Sequence, residues 1–292
     1  MRSLSLSFLT FLGHSLPVAS GLGMFAEMGW CQWAVAGLGQ TAEARLRSGL
    51  RLIIDPTEYL GRTVLLTGEW DPKVTWVCQK LLRHGDTFID IGAHCGVVAV
   101  EAARLVGPSG KVHAFEPQPR LAEFLRQSAG INALSGLQVH QVALSDQDGQ
   151  AKIFMRGGKQ ILASLVPIPG VEPNLEIATR AAEPYLRGLN LTQVRLLKMD
   201  IEGYEYALLQ AMEGVLNEGI LENILFESVP AEGPFWERPA VQLLAKAGYQ
   251  FYALPKTLLT FRAVPVSPGV EPAGGPHDFV AVRNWDGPLA QA

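Results

Sequence analysis

The stretch Thr87–Gly96, TFIDIGAHCG, followed at Val112–Pro117 by VHAFEP, restricts this chain more than any other feature. It reads as a strand, a glycine turn, a helix and a second strand ending on an acid. This is how a doubly wound α/β domain holds a nucleotide-like cofactor. The spelling departs from the dinucleotide form. A phosphate-cradling turn wants G-x-G-x-x-G, whereas here the glycines are Gly92 and Gly96 and His94 stands at the middle position. Asp90 lies two residues before the first glycine. An acid there repels a pyrophosphate but suits a cofactor with an ammonium group and no phosphate, and S-adenosylmethionine (SAM) is such a cofactor. Nicotinamide-dependent oxidoreduction is the competing enzyme class, and His94 breaks its pattern.

Each candidate has a functional and a plainer reading. Gly92, Ala93 and Gly96 let the backbone turn sharply beside the methionine part of SAM, and Asp90 accepts hydrogen bonds from its ammonium; the plainer reading is turn geometry alone. Glu116, 26 positions after Asp90, stands where an acid accepts from ribose hydroxyls. Ser145 and Asp146 follow the third strand, where Asp146 accepts from the adenine amino group or simply belongs to a Ser-Asp-x-Asp-Gly turn. Lys198–Glu205, KMDIEGYE, gathers three carboxylates and a lysine at the end of strand four. Asp200 orients the substrate or contacts SAM there. Glu202 deprotonates a hydroxyl or pairs with Asp200 on a divalent cation. Glu205 reads better as an acid in a helix's first turn. Glu227, after strand five, points to the same edge, or caps or pairs there. His94, inside the turn, is the histidine to weigh as a base, and His140 in mid-strand reads as structural. The other histidines show no metal spacing.

The chain has 292 residues, 48% of them hydrophobic, enough for one large domain or a domain plus an extension. A net charge of −4 disfavours nucleic acid as a partner. Cys31, Cys78 and Cys95 are too few and scattered for a disulfide framework or zinc site, and read as free thiols in a reducing compartment. Residues Ser3–Ala26 carry no Asp, Glu, Lys or Arg. With Arg2 and the Val18-Ala19-Ser20 triplet they resemble a signal peptide. Yet His14, Pro17 and the glycines dilute them, and they fall short of about 18 strongly apolar residues in a row. A helical extension, packed or touching a membrane, is the preferred expectation. A SAM enzyme needs a cofactor supply, which points to the cytoplasm.

Along the chain, Glu43–Arg51 reads as an amphipathic helix ended by Pro56, and Tyr59–Gly68 as a short strand or hairpin arm. Asp71–Leu82 is a helix and Thr87–Ile91 the first core strand, buried on both faces. Val97–Val106 is the crossover helix, Lys111–Phe115 strand two, Arg120–Ala129 a helix, Leu137–Leu144 strand three and Ala151–Phe154 a short strand. Residues 156–175 read as a loop over the site. Gln193–Met199 is strand four, Glu205–Leu216 a helix, Glu222–Phe226 strand five, Ala240–Ala247 a helix, Tyr249–Leu254 strand six and Asp278–Arg283 a closing strand. The expected fold is α/β: a Rossmann-like, seven-stranded, three-layer sheet of the class I SAM-methyltransferase type. Residues 1–58 form a mainly helical extension with membrane or partner contact, and 59–292 the catalytic domain.

FIDIGAHCG, AFEP, ALSD, LLKMDIEGYE and ILFES together resemble the FkbM-type methyltransferases, from about Tyr59 to Arg283. KMDIEGYE is the most specific part. Ala163-Ser164-Leu165 is similar to that family's serine-leucine loop, and Leu243–Tyr249 to its L-x4-GY segment. The resemblance implies O-methylation of a small-molecule acceptor: a sugar, a lipid or a natural product. It implies that Asp90, Gly92 and Gly96 line the methionine end of SAM, Glu116 holds the ribose, Asp146 the adenine, and Asp200 the region near the methyl. Two positions depart from it. His94 stands where the family usually has Asn, and Thr179-Arg180-Ala181-Ala182 lacks an acid often present ahead of strand four. A non-catalytic SAM-fold module using the apolar N-terminus is the alternative, and it predicts weak or absent SAM binding.

Overall fold

A computed structural model describes residues 2–15, 21–155, 163–167, 169–173, 175–229, 232–284 and 289. In chain order the first half has helices α1 (Arg2–Ser15), α2 (Leu22–Ala26) and α3 (Gly29–Val35), strands β1 (Ala42–Arg45) and β2 (Arg51–Ile54), and helices α4 (Tyr59–Thr67) and α5 (Pro72–Leu81). There follow β3 (Thr87–Ile91), α6 (Val97–Val106), β4 (Lys111–Phe115), α7 (Pro119–Ile131), β5 (Leu137–His140) and β6 (Ala143–Ser145). The second half has β7 (Gly149–Met155), β8 (Ala163–Ser164), β9 (Leu175–Ala181), α8 (Ala182–Gly188), β10 (Leu196–Met199), α9 (Glu205–Ala211) and α10 (Glu213–Glu218). It closes with β11 (Asn223–Glu227), α11 (Pro239–Lys246), β12 (Gln250–Leu254), β13 (Val264–Val266) and β14 (Asp278–Val282).

One sheet carries eight strands in the order β13-β12-β14-β11-β10-β3-β4-β5. β5, β4, β3, β10 and β11 run parallel, and β14 inserts antiparallel between β11 and β12. This is the expected seven-stranded methyltransferase sheet with β13 added at one edge. Its central strands are apolar along their length because helices cover both faces. One face packs Phe88, Val112 and Leu196 against α5, α6 and α7. The other packs Ile89, Leu197 and Phe226 against α8, α9, α10 and α11. Chain order reverses between β3 and β10, and ligands bind at the carboxyl ends of strands beside such a switch point.

Several expected elements come out differently. Glu43–Arg51 is not a helix but the turn and inner strands of the β1–β2 hairpin, with Ala44 opposite Leu52 and Ala42 opposite Ile54. Burial there alternates: Ala44, Leu46, Leu52 and Ile54 go into the core shared with Phe88, whereas Glu43 and Arg45 do not. A period of two outweighed the helix-forming charges. Tyr59–Gly68 is helix α4, not a strand. Its β-branched Thr63 and Thr67 donate their hydroxyls to the carbonyls of Tyr59 and Thr63, each 2.8 Å and four residues back. Leu137–Leu144 breaks into β5 and β6, which lie in different sheets. The helix Glu205–Leu216 breaks at Met212, whose φ of −126° is not helical. β9 was not anticipated. It pairs with β6 and β7, and with β8 completes a four-stranded sheet. Of the loop expected over 156–175, residues 156–162, 168 and 174 lie outside the described residues.

Helices α1, α2, α3 and α4 share a small core of Leu9, Phe25, Cys31, Val35 and Leu66. They leave Phe8, Phe11, Met24, Trp30 and Trp33 exposed. Among the described residues no helix is long and apolar enough to cross a membrane. The triplet Val18-Ala19-Ser20 lies outside them.

Candidate active site

The turn after β3 is tied to the end of β4. Ile91 pairs with Phe115, so Gly92 and Glu116 leave the sheet side by side. The N–H groups of Gly92 and Ala93 both donate to the Phe115 carbonyl at 3.0 Å. The Glu116 carboxylate accepts from the His94 N–H at 2.9 Å and the Gln118 N–H at 2.8 Å. Burial pushes the Glu116 carboxyl up to about 7, against the pull of those two donors.

The glycines serve packing. A Cβ on Gly92 (φ 79°) would lie 2.1 Å from the Asp200 carbonyl oxygen, and one on Gly96 (φ 93°) 2.1 Å from Leu125 Cδ1. Gly92 thus lets the β3 and β10 turns touch, and Gly96 seats α7 against the start of α6. His94 (φ 53°) and Glu202 (φ 54°) also adopt the left-handed region. Strain of this kind, about 1–3 kcal/mol each, gathers at functional sites.

Strand register assembles the charged floor. Asp90 on β3 lies opposite Lys198 on β10, and their side chains pair at 3.2 Å, both buried. Lys198 also lies 3.5 Å from Asp200, which the Ile91 carbonyl fixes through its N–H at 3.1 Å. Burial works against the Lys198 charge, but Asp90 and Asp200 outweigh it and hold the ammonium above its ordinary value. Burial pushes the Asp90 carboxyl up and Lys198 pulls it back.

These residues wall a cavity of about 310 Å³ at the switch point. Gly92, Ala93, His94, Glu116, Asp200 and Glu202 line it. Asp90 lies beneath it behind Lys198, and Gly96 caps α6. Ser145 and Asp146 do not reach the wall; Val142, Ala143 and Leu144, just before them, do. Ser145 bonds Asp146 at 2.9 Å and the Tyr204 hydroxyl at 3.0 Å, and Tyr204 is a lining residue. Glu205 is buried and accepts from the Ile201 N–H at 3.0 Å; burial takes its carboxyl to about 7. His140 lies in a structural chain, 3.1 Å from His113 Nδ1 and 3.1 Å from the Tyr185 hydroxyl. Among the described residues no group of three or more potential metal ligands occurs.

Of the far half of the cavity, the sequence marked Glu227 but not the residues opposite it. Trp70, Asp71 and Lys73 reach it from the start of α5, and His277 and Asp278 from the start of β14. Asp71 caps α5, and Lys73 pairs with Asp278. Glu227, at the end of β11, sits 3.7 Å from His277 Nδ1. Burial, then Asp200, Asp278 and Glu202, push its carboxyl up to about 8. The Asp71-Pro72 pair was a legible helix start, but nothing local marks Lys73 or Asp278 as facing a site.

The wall fits an aminoacyl nucleoside. Both ring nitrogens of His94 are buried in it and have no hydrogen-bond partner among the described residues. Burial lowers the ring to about 4, so it presents one neutral donor and one acceptor. Glu116 retains lone pairs beyond the two that its N–H donors use. Asp200, its side chain about half exposed, faces the same space.

The family model of the methyltransferase FkbM domain matches residues 90–251, more than half of the chain. A probable cobalt-precorrin-6B C(15)-methyltransferase of Thermoplasma volcanium is 31% identical over 130 residues, 42% of this chain and 60% of that protein. Methyltransferase 1 of Beauveria bassiana is 26% identical over 184 residues, 56% of this chain and 72% of that one. A SAM-dependent O-methyltransferase of Thermotoga maritima superposes with a TM-score of 0.42 at 13% identity, over 83% of this chain and 77% of that one. That score is low, and the fold assignment rests on strand order and the family match. Strand order, the turn at Gly92 and the matched domain agree: the chain belongs to the FkbM methyltransferase family, whose cofactor is S-adenosylmethionine.

Proposed function

We propose that the chain methylates a hydroxyl group on a sugar, lipid or natural product. The observation that carries this reading is the far half of the cavity. There the carboxylates of Asp200, Glu202, Glu227 and Asp278 stand beyond the cofactor turn, able to accept hydrogen bonds from hydroxyls. The same carboxylates oppose a nucleic-acid backbone.

Glu116 is suited to hold ribose hydroxyls and the Asp90–Lys198–Asp200 floor to hold the amino-acid end of the cofactor. When bound, the cofactor supplies an electrophilic methyl group on a sulfonium. The chain's own task is alignment, which converts an encounter into a positioned reaction. Asp200 and Glu202 orient the acceptor, and neutral His94 offers a further hydrogen bond beside the turn. The apolar wall formed by Leu60, Val74 and Leu225 excludes water.

The test is transfer of labelled methyl from SAM to free sugars, methyl glycosides, hydroxylated lipids and phenols, read as labelled ether product. Calorimetry with SAM accompanies it. Asp90→Ala and Glu116→Ala should each weaken SAM binding at least tenfold. Wild-type affinity in both variants refutes the cofactor site, and product found only on nitrogen or carbon refutes the hydroxyl reading.

A further inference from the structure

Three neighbouring strands end in carboxylates. Met199 of β10 pairs with Phe226 of β11, so Asp200 and Glu227 are the next residues along. Glu227 in turn pairs with Asp278 of β14. The row therefore reads Asp200, Glu227, Asp278 across the carboxyl edge of the sheet, and all three line the cavity. The outer two have lysines: Lys198 lies 3.5 Å from Asp200, and Lys73 pairs with Asp278. The middle one has no lysine within ion-pair distance, although Lys73 on α5 feels its charge. Among the described residues the one basic group within ion-pair distance of Glu227 is His277, at 3.7 Å.

We propose that Glu227 is the group that takes the proton from the acceptor hydroxyl, with His277 as its outlet to solvent. The proposal rests on the hydroxyl-acceptor reading above. Asp200 is committed to Lys198, and Asp278 to Lys73. Glu202 lines the same cavity on the side of the small sheet, its backbone carbonyl accepting from the Ser164 hydroxyl at 2.7 Å, and lies off the row that the strand ends make. Glu227 faces like charge on each side, from Asp200 and Glu202 after β10, Glu205 on α9 and Asp278 on β14; the basic groups opposite are Lys73 on α5 and Lys256 after β12, with Asp71 on the same wall. Adding a proton there relieves repulsion that the lysines do not cancel, which is what a base working near neutral pH needs. The O–H bond breaks with its proton passing to a Glu227 oxygen, an electron pair of the acceptor oxygen forms the bond to the methyl carbon, and the donor's carbon–sulfur bond would break with its pair left on sulfur. His277, its side chain 39% exposed, can pass the proton outward.

The test uses the full chain and two readouts. The first is a pH titration of protein labelled with 13C at glutamate Cδ, without cofactor. One resonance should titrate with a midpoint near 8 and be absent from Glu227→Gln. The second uses whichever free sugar, methyl glycoside or phenol the wild type methylates. Glu227→Gln should lose roughly 10²-fold in kcat and lose the rise of kcat with pH through that midpoint, while SAM affinity stays within twofold. His277→Ala should shift the midpoint and lower kcat, though less than Glu227→Gln does. A glutamate titration with no midpoint above 7, or a Glu227→Gln enzyme with wild-type kcat and pH profile, overturns the proposal. Failure of the wild type on every hydroxyl acceptor overturns the function reading instead, and the titration then still decides whether Glu227 is the proton-holding carboxyl.

Discussion

Gly92 shows how much one position decides. Its φ of 79° costs any other residue backbone energy, and the space its Cβ would need is taken by a backbone carbonyl that cannot rotate away. Gly92→Ala should therefore cost more than about 2 kcal/mol and weaken SAM binding. Gly203 (φ 94°) supplies the comparison, because nothing lies within 4 Å of its missing Cβ. Gly203→Ala should cost only the conformational part, about 1 kcal/mol. Chemical denaturation of both variants measures the difference, and equal costs would mean that the contact with Asp200 does not matter. Residues of this kind were legible because turn, glycine and acid are spelled within a few positions. Lys73 and Asp278 were not, since 205 residues separate them and neither carries a local signature.

At the scale of elements, the sequence read well where one physical signal dominated and poorly where two competed. β3, β4, β10 and β11 are apolar runs next to clear breakers, and each falls within three residues of its expected start. In Glu43–Arg51, helix-favouring charges competed with alternation, and pairing with the next strand settled it. Tyr59–Gly68 reads as a short strand or hairpin arm, yet side-chain-to-backbone hydrogen bonds from Thr63 and Thr67 accommodate these β-branched residues within the helix. The small sheet escaped notice because its strands are short and one partner, β9, lies beyond a proline-rich stretch. Helix α5 carries an element-scale prediction. Asp71 accepts from the N–H groups of Lys73 at 3.0 Å and Val74 at 3.4 Å. Asp71→Ala should lower stability by about 1 kcal/mol, whereas Asn caps as well as Asp. Thermal melts of the Ala and Asn variants check this: an equal loss in both would mean that charge, not capping, is at work.

For the whole molecule, the buried titratable groups set how stability follows pH. Burial raises Glu69, Glu116 and Glu205 to about 7 from 4.5. The unfolded chain gives up these protons first, so the folded state binds more protons and loses stability as pH rises toward 7. His94 and His113, lowered by burial to about 4 from 6.5, act oppositely and add stability between those values. Above 6.5 the histidines have no further effect, and the carboxyls, with Glu227 at about 8, remain. The cofactor-free protein should therefore melt lower at pH 8 than at pH 6.5. Glu69→Gln, away from the cavity, should flatten part of that slope. Calorimetric scans at the two pH values decide it, and a higher melting temperature at pH 8 would contradict the assignment.

The four-stranded sheet shares no strand with the eight-stranded one. It meets the site on two sides: Ala143 and Leu144 of β6 line the cavity just ahead of Ser145 and Asp146, and Ala163, Ser164 and Leu165 line it beside Glu202, whose carbonyl accepts from the Ser164 hydroxyl. The fold therefore works as a chassis with an exchangeable cassette. The parallel strands and β6 carry the parts every methyl transfer needs, and the β7–β8 arm of the small sheet can lengthen, shorten or change its side chains without disturbing a hydrogen bond of the main sheet. New acceptors can be explored there while the machinery that holds the methyl donor stays as it is.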